Sequence, residues 1–254
     1  MELRKAIEAK QIEVYYQPIV DLHHNKIVGC EALARWNHPK RGFVSPSDFI
    51  PVAEQSGLID LLGEYVLRMV CKEAAGWSDH IKLAVNISPI QFRSGLLALK
   101  VVSALAESGL SARRLELEIT EAVLIMDDEV ALKLLHELRA IGVSVALDDF
   151  GTGYSSLSYL RRFPFDKIKI DRSFISSLTQ EGGSSGIVRA VLAMASEHKM
   201  VTTAEGVETG EQRSMLQDLQ CDEMQGFLFS PARTSEDIRS LLQTNQIGEF
   251  VRAG

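Results

Sequence analysis

The stretch Val143-Ser144-Val145-Ala146-Leu147-Asp148-Asp149-Phe150-Gly151-Thr152-Gly153-Tyr154-Ser155-Ser156 opens as an apolar run and closes on two adjacent carboxylates, followed by a loop with glycines at alternate positions. Its first half has the composition of a short strand buried on both faces of a parallel sheet. Two aspartates side by side at a strand end repel each other and lose hydration, so a cation or strong donors must compensate. Taken alone, Asp148 and Asp149 also fit a plainer role, because aspartate commonly begins a turn or caps a helix such as the one predicted from Ser155.

Strand patterns recur on both sides of this stretch, over 81–86, 114–119, 167–171, 200–204 and 222–225. Helical patterns separate them, over 95–107, 128–141, 155–162, 184–198 and 210–219, with a last helix predicted over 235–246. Upstream, residues 46–77 read as helical with a break near Gly57, since Leu61, Leu62, Tyr65, Val66, Met69 and Val70 recur at helical spacing. The start of the chain differs. A short amphipathic helix over 1–10 precedes a strand over 12–20 that Pro18 is expected to stop or bulge, and a second strand follows over 26–35. The link Asp21-Leu22-His23-His24-Asn25 is too short for a helical crossover, which makes these two strands antiparallel neighbours. Eight strands, with helices on every link but the first, predict an α/β fold of the (β/α)8 TIM-like barrel type with an antiparallel first strand. The alternative is an open Rossmann-like sheet, which lacks its Gly-x-Gly-x-x-Gly turn after the first strand here.

At 254 residues and 46% hydrophobic content the chain can bury one large core, and no Pro/Ser-rich linker divides it, so residues 1–254 are read as a single domain. The net charge of -7 leaves no basic face for many phosphates and excludes a nucleic-acid polymer as ligand. A small anion with its own metal ions remains compatible. Cys30, Cys71 and Cys221 form no CxxC pair, as expected in a reducing cytosol. No stretch approaches the roughly 20 apolar residues of a membrane span, and the N-terminus has no apolar signal region. These features predict a soluble, cytoplasmic protein.

In such a barrel the active site lies at the C-terminal ends of the strands. Here those ends carry Asn86, Glu118, Asp148 and Asp149, Lys169, Glu205 and Gln225. Alternation turns Lys167 and Lys169 toward the barrel axis, because Ile168 and Ile170 share the opposite side and should pack under the helices. A single acid at a strand end is usually structural, but several converging make an all-oxygen site. That donor set selects hard cations such as Mg²⁺ or Mn²⁺ over zinc. The six histidines show no ligand spacing.

Glu31-Ala32-Leu33-Ala34-Arg35, the stretch Asp148 to Ser156, and Glu205-Gly206-Val207-Glu208-Thr209, in that order, resemble the EAL domain, the phosphodiesterase of the bacterial messenger cyclic di-GMP. The resemblance covers essentially the whole chain, and the family barrel likewise has a reversed first strand. It implies two Mg²⁺ or Mn²⁺ ions, with Glu31, Asn86, Glu118 and Asp148 on one and Asp148, Asp149 and Glu205 on the other. Ca²⁺ would bind but support poor turnover. Lys169 would hold the attacking water, beside the catalytic carboxylates Glu31, Asp149 and Glu205. Arg35 would grip a substrate phosphate, Gln17 and Leu33 would lie against the ligand, and Gln225 would help order the site. Glu121 would anchor the loop from Phe150, in which Gly151 and Gly153 permit unusual backbone angles. The implied reaction is hydrolysis of cyclic di-GMP to linear pGpG by a homodimer, with room for an N-terminal sensor or GGDEF cyclase domain before Met1. One departure is Pro231-Ala232-Arg233, where the family commonly places a basic residue before a proline. Two other readings stand beside this one: a module that binds cyclic di-GMP without cutting it, and a barrel enzyme acting on another phosphate ester.

Overall fold

The alternation that sets Leu115, Leu117 and Ile119 opposite Glu116 and Glu118 organises the architecture, because each strand must bury one face under helices and turn the other into a closed barrel. The computed structural model describes residues 2–123, 128–151, 160, 162–180 and 182–244. α1 (Glu2–Glu8) leads into β1 (Ile12–Asp21) and β2 (Lys26–His38), and β3 (Gly42–Val44) folds back on the end of β2. α2 (Pro46–Gln55) and α3 (Ile59–Ala74) carry the chain to β4 (Lys82–Asn86), and α4 (Pro89–Arg93) and α5 (Leu97–Ser108) carry it to β5 (Leu115–Thr120). α6 (Asp128–Ile141) precedes β6 (Ser144–Phe150). Then come β7 (Lys167–Ile170), α7 (Arg172–Ser176), α8 (Ser185–Glu197), β8 (Val201–Ala204), α9 (Gly210–Asp218), β9 (Glu223–Met224) and α10 (Ser235–Thr244).

Strands β2, β4, β5, β6, β7, β8 and β9 run parallel in that order, and β1 closes the ring antiparallel to both β2 and β9. This is the (β/α)8 barrel with a reversed first strand. Leu83, Val85, Leu117, Val145, Leu147, Ile168 and Ile170 are buried on its outer face, under the helices. The lumen is unusual. Where such barrels commonly stack branched apolar side chains, Lys167 Nζ lies 2.7 Å from Glu116 Oε1 and 2.8 Å from Glu223 Oε2, and the Thr203 hydroxyl donates to Glu223 at 2.8 Å.

Several local expectations differ from the structure. Pro18 does not end β1. It pairs with Cys30 on β2, and the register shift falls one residue later, between Ile19 and Val20. β2 runs past Arg35 because Trp36 to His38 gain a partner in β3. The short helices α4 and α7 sit where loops were expected. Ser88 and Gln91 form a capping box on α4, and Asp171 caps α7 by accepting from Ser173 N at 3.0 Å. The helix expected over 155–162 and the end of the last helix fall largely outside the described residues. Near the Pro231 departure, the chain is tied to β1 by paired backbone bonds between Tyr16 and Arg233 at 2.7 and 2.9 Å. Among the described residues no helix is long and apolar enough to cross a membrane.

Candidate metal centre and substrate cleft

Four strand ends deliver charged groups to the mouth of the barrel, and the lysine on β7 stands among them. Lys169 Nζ lies 2.7 Å from Glu205 Oε1, 2.9 Å from Glu118 Oε2, 3.1 Å from Asp148 Oδ1 and 3.8 Å from Glu31 Oε2. Lys169 is 1% exposed and Glu118 fully buried. Glu31 also accepts from Asn86 Nδ2 at 2.6 Å and from Gln225 Nε2 at 2.7 Å. Gln225 in turn donates to Gln17 Oε1 at 3.2 Å, and Gln17 donates to the Ser230 carbonyl. The structure thus brings Gln17, Glu31, Asn86, Glu118, Asp148, Lys169, Glu205 and Gln225 into one connected cluster.

Asp149 is aimed by its backbone. It adopts φ 53°, in the left-handed region that side chains with a Cβ rarely enter, where the pairing of β6 with β7 shifts register between Leu147 and Phe150. Its own amide donates to Asp148 Oδ1 at 3.0 Å. In consequence one oxygen each from Asp148, Asp149 and Glu205 lies within 4.8 Å of the others. Gly151, next along the turn, donates its amide to Glu121 Oε1 at 3.0 Å. Gly153 and residues 152–159 lie outside the described residues.

The electrostatics of the cluster are those of crowded acids. Burial, reinforced by repulsion from Glu31 and opposed by Lys169, holds the Glu118 carboxyl well above its ordinary range. Burial likewise raises Asp149, with Asp148 adding to the effect, and pushes Glu205 up to about 8 against the pull of Lys169. For Glu31 burial also acts upward, but Lys169 and the donors on Gln225 and Asn86 outweigh it and the carboxyl is lowered. Lys169 loses solvation, yet its carboxylate neighbours hold the ammonium well above its usual range. Among the described residues five carboxyls therefore surround one ammonium, and the deficit of positive charge is the condition a divalent cation relieves. Glu118 shows it most directly. Neither of its oxygens has an aligned hydrogen-bond donor among the described residues, so its 2.9 Å approach to Lys169 is an ion pair without a hydrogen bond. The donors are all oxygen, which fits Mg²⁺ or Mn²⁺.

Beside the carboxylates opens a cleft of about 270 Å³, lined by Gln17, Leu33, Arg172, Glu208, Gly226 and Phe227 among others. Leu33 is on its wall. Arg35 is not on the wall of this cleft. Its half-buried guanidinium sits over the Tyr15 ring, 5.7 Å from the centroid, and donates to the Ala34 carbonyl. Among the described residues the cation on the wall is Arg172, which sequence reasoning missed, as it missed the exposed ring of Phe227. Arg172 stands two residues past the end of β7, so extending the strand-end rule by that much would have found it.

A parallel barrel with an oxygen-rich acidic cluster and a buried lysine at its C-terminal mouth defines a candidate metal-assisted hydrolase site. The sequence profile of the EAL domain matches residues 1–232, and the chain belongs to that family. It is 40% identical over 241 residues to the bifunctional diguanylate cyclase/cyclic di-GMP phosphodiesterase MucR of Pseudomonas aeruginosa, covering 93% of this chain and 35% of that protein. It is 42% identical over 233 residues to the cyclic di-GMP phosphodiesterase NbdA of the same organism, covering 90% and 30%. The chain thus spans about a third of the length of these curated relatives. Among solved structures, the MucR phosphodiesterase in complex with cyclic di-GMP superposes with a TM-score of 0.89 at 39% identity, covering 93% of this chain and 98% of that one.

Proposed function

We propose that this chain is a single EAL phosphodiesterase barrel that hydrolyses one phosphodiester of cyclic di-GMP to linear pGpG, using two Mg²⁺ or Mn²⁺ ions. The carrying observation is the convergence of Glu31, Glu118, Asp148, Asp149 and Glu205 on Lys169, next to a cleft lined by amide, apolar and aromatic groups. Glu31, Asn86, Glu118 and Asp148 are the residues that would hold one ion, and Asp148, Asp149 and Glu205 the other. When bound, such a pair lowers the pKa of a water and neutralises charge on the phosphoryl oxygens. Lys169, kept as an ammonium by its carboxylate neighbours, donates a hydrogen bond to the attacking water and orients it. Gln225 fixes Glu31, and Glu121 fixes the turn that carries Asp149. Leu33, Gln17 and Phe227 support the bases and sugars along the cleft wall, and Arg35 reaches a phosphate from the rim by leaving its stack on Tyr15.

The similarity to MucR and NbdA supports this substrate, and the likeness to the MucR complex supports cyclic di-GMP as a ligand of this fold. The same proposal includes a cytosolic setting, additional sensory or cyclase sequence in the full-length protein, and self-association. Exposed Leu99 and Val102 on α5 and Val130 on α6 offer apolar surface for the last of these. Purified protein incubated with cyclic di-GMP and Mg²⁺ should yield pGpG, Ca²⁺ should support little turnover, and excess chelator should stop it. Unchanged turnover in chelator would overturn the metal assignment, and tight binding without cleavage would make the chain a receptor.

A further inference from the structure

Two turns at the barrel mouth carry carboxylates on or beside residues with left-handed backbone angles. One is the Asp149–Gly151 turn, with φ 53° at Asp149 and 95° at Gly151. The other follows Glu205, with φ 65° at Gly206. The short helix α7 stands between them. On one side the Phe174 ring packs so closely on Gly151 that a Cβ there would come within 2.8 Å of its Cε2 and 2.9 Å of its Cζ. On the other side a Cβ on Gly206 would come within 2.5 Å of the Arg172 Cβ. Both glycines are thus required by α7 as well as by their own backbone angles.

The helix is held firmly from behind. Ile175 is fully buried, and its carbonyl accepts from Gln212 Nε2 at 3.2 Å. The Phe174 carbonyl accepts from the Ser184 hydroxyl at the start of α8, and Asp171 caps the first turn. Glu205 N donates to the Ile170 carbonyl at 3.0 Å, immediately before α7. The helix is therefore fixed by contacts of its own besides those it makes with the two turns.

We propose that α7 is a positioning wedge for the second cation. Phe174 braces the turn that aims Asp149 and Arg172 braces the turn behind Glu205, so that the three oxygens of Asp148, Asp149 and Glu205 stay within reach of one ion. This rests on reading those carboxylates as metal ligands. Truncating the ring opens space beside Gly151, lets Asp149 relax from its left-handed backbone, and moves one ligand of the trio. The Glu31, Asn86 and Glu118 group is attached to other strands and does not move with it.

The test is Mn²⁺ binding to the substrate-free protein, followed by titration calorimetry and by the paramagnetic signal of free Mn²⁺, with melting curves alongside. Wild type should bind two ions. Phe174→Ala should weaken one of them about tenfold or more, the usual scale for loss of a supporting contact behind a ligand, and leave the other unchanged. Phe174→Leu should recover most of the loss. Val188→Ala, a core truncation in α8 away from both turns, should lower the melting temperature without changing either affinity. If Phe174→Ala does not fold, Gly206→Ala applies the same test from the other side, with the same selective loss expected. Equal weakening of both ions, no weakening, or the same weakening in Val188→Ala would overturn the wedge while leaving the metal site standing. A wild type that binds fewer than two Mn²⁺ would remove the two-ion reading itself, and the wedge with it.

Discussion

Replacing Lys167 with methionine asks whether the charged layer inside the barrel supports the fold. Lys167 is 3% exposed and Glu116 1% exposed, and the ammonium lies 2.7 Å from Glu116 and 2.8 Å from Glu223. Methionine keeps most of the stem and removes the charge. Glu223 retains the Thr203 hydroxyl, but Glu116 is then left buried without its cation. Removing one partner of a buried pair costs about 3–5 kcal/mol. For a chain of this size each kcal/mol corresponds to about 2–4 °C, so Lys167→Met should melt about 10 °C below wild type near pH 8. The Glu116→Gln/Lys167→Met double variant, which removes the orphaned anion, should recover most of the difference, and the cycle measures the coupling. Calorimetric melts of the single and double variants provide the assay. A single variant melting within about 2 °C of wild type near pH 8 would show that this pair is screened as it would be at a surface, and would refute the cost assigned to its burial.

Lys169→Ala should lower kcat by about 10²–10⁴ with KM largely kept, whereas Arg35→Ala should raise KM about ten- to a hundredfold, the scale of a lost charged hydrogen bond; near-normal turnover in the first variant would displace Lys169 from the water. Glu121→Ala removes the acceptor of Gly151 N and should raise the Mg²⁺ concentration needed for half-maximal turnover several-fold, at a stability cost of about 1–2 kcal/mol. A lowered melting point with unchanged Mg²⁺ dependence would reduce Glu121 to a local structural residue. Finally, Glu118, Asp149 and Glu205 have raised carboxyls, Glu205 to about 8. Between the ordinary carboxylate range and that value the folded chain binds more protons than the unfolded one, so the chelated protein should lose stability as pH rises through this window. Added Mg²⁺ should flatten the trend by binding the ionised forms. Denaturant midpoints measured with and without chelator check it, and a chelated protein that gains stability over the same range would contradict the raised carboxyls.

Much of the fold was legible because a strand's two faces are written in alternate residues. Leu115, Leu117 and Ile119 against Glu116 and Glu118, and Ile168 and Ile170 against Lys167 and Lys169, tell which side faces the helices without reference to any partner. The short link from Asp21 to Asn25 fixed the reversed first strand, since a hairpin is all it can span. The polar residues at successive strand ends named most of the candidate site, because parallel strands in one barrel end at one mouth. The short elements were less legible. The α4 and α7 turns and the β3 extension depend on a cap or a partner strand, and carry too few residues for a period to show.

What alternation does not specify is which inward groups meet. Asn86 and Gln225 reach Glu31 across 55 and 194 residues, and Lys167 finds Glu116 and Glu223 because barrel closure and stagger set them level. The left-handed turn at Asp149, the placement of Arg172 and Phe227 on the cleft wall, and the stacking of Arg35 on Tyr15 away from it were likewise decided in three dimensions. A sequence period fixes a side chain's direction relative to its own strand. Its neighbours are fixed only when the sheet closes, because register between strands distant in the chain is a property of the barrel as a whole.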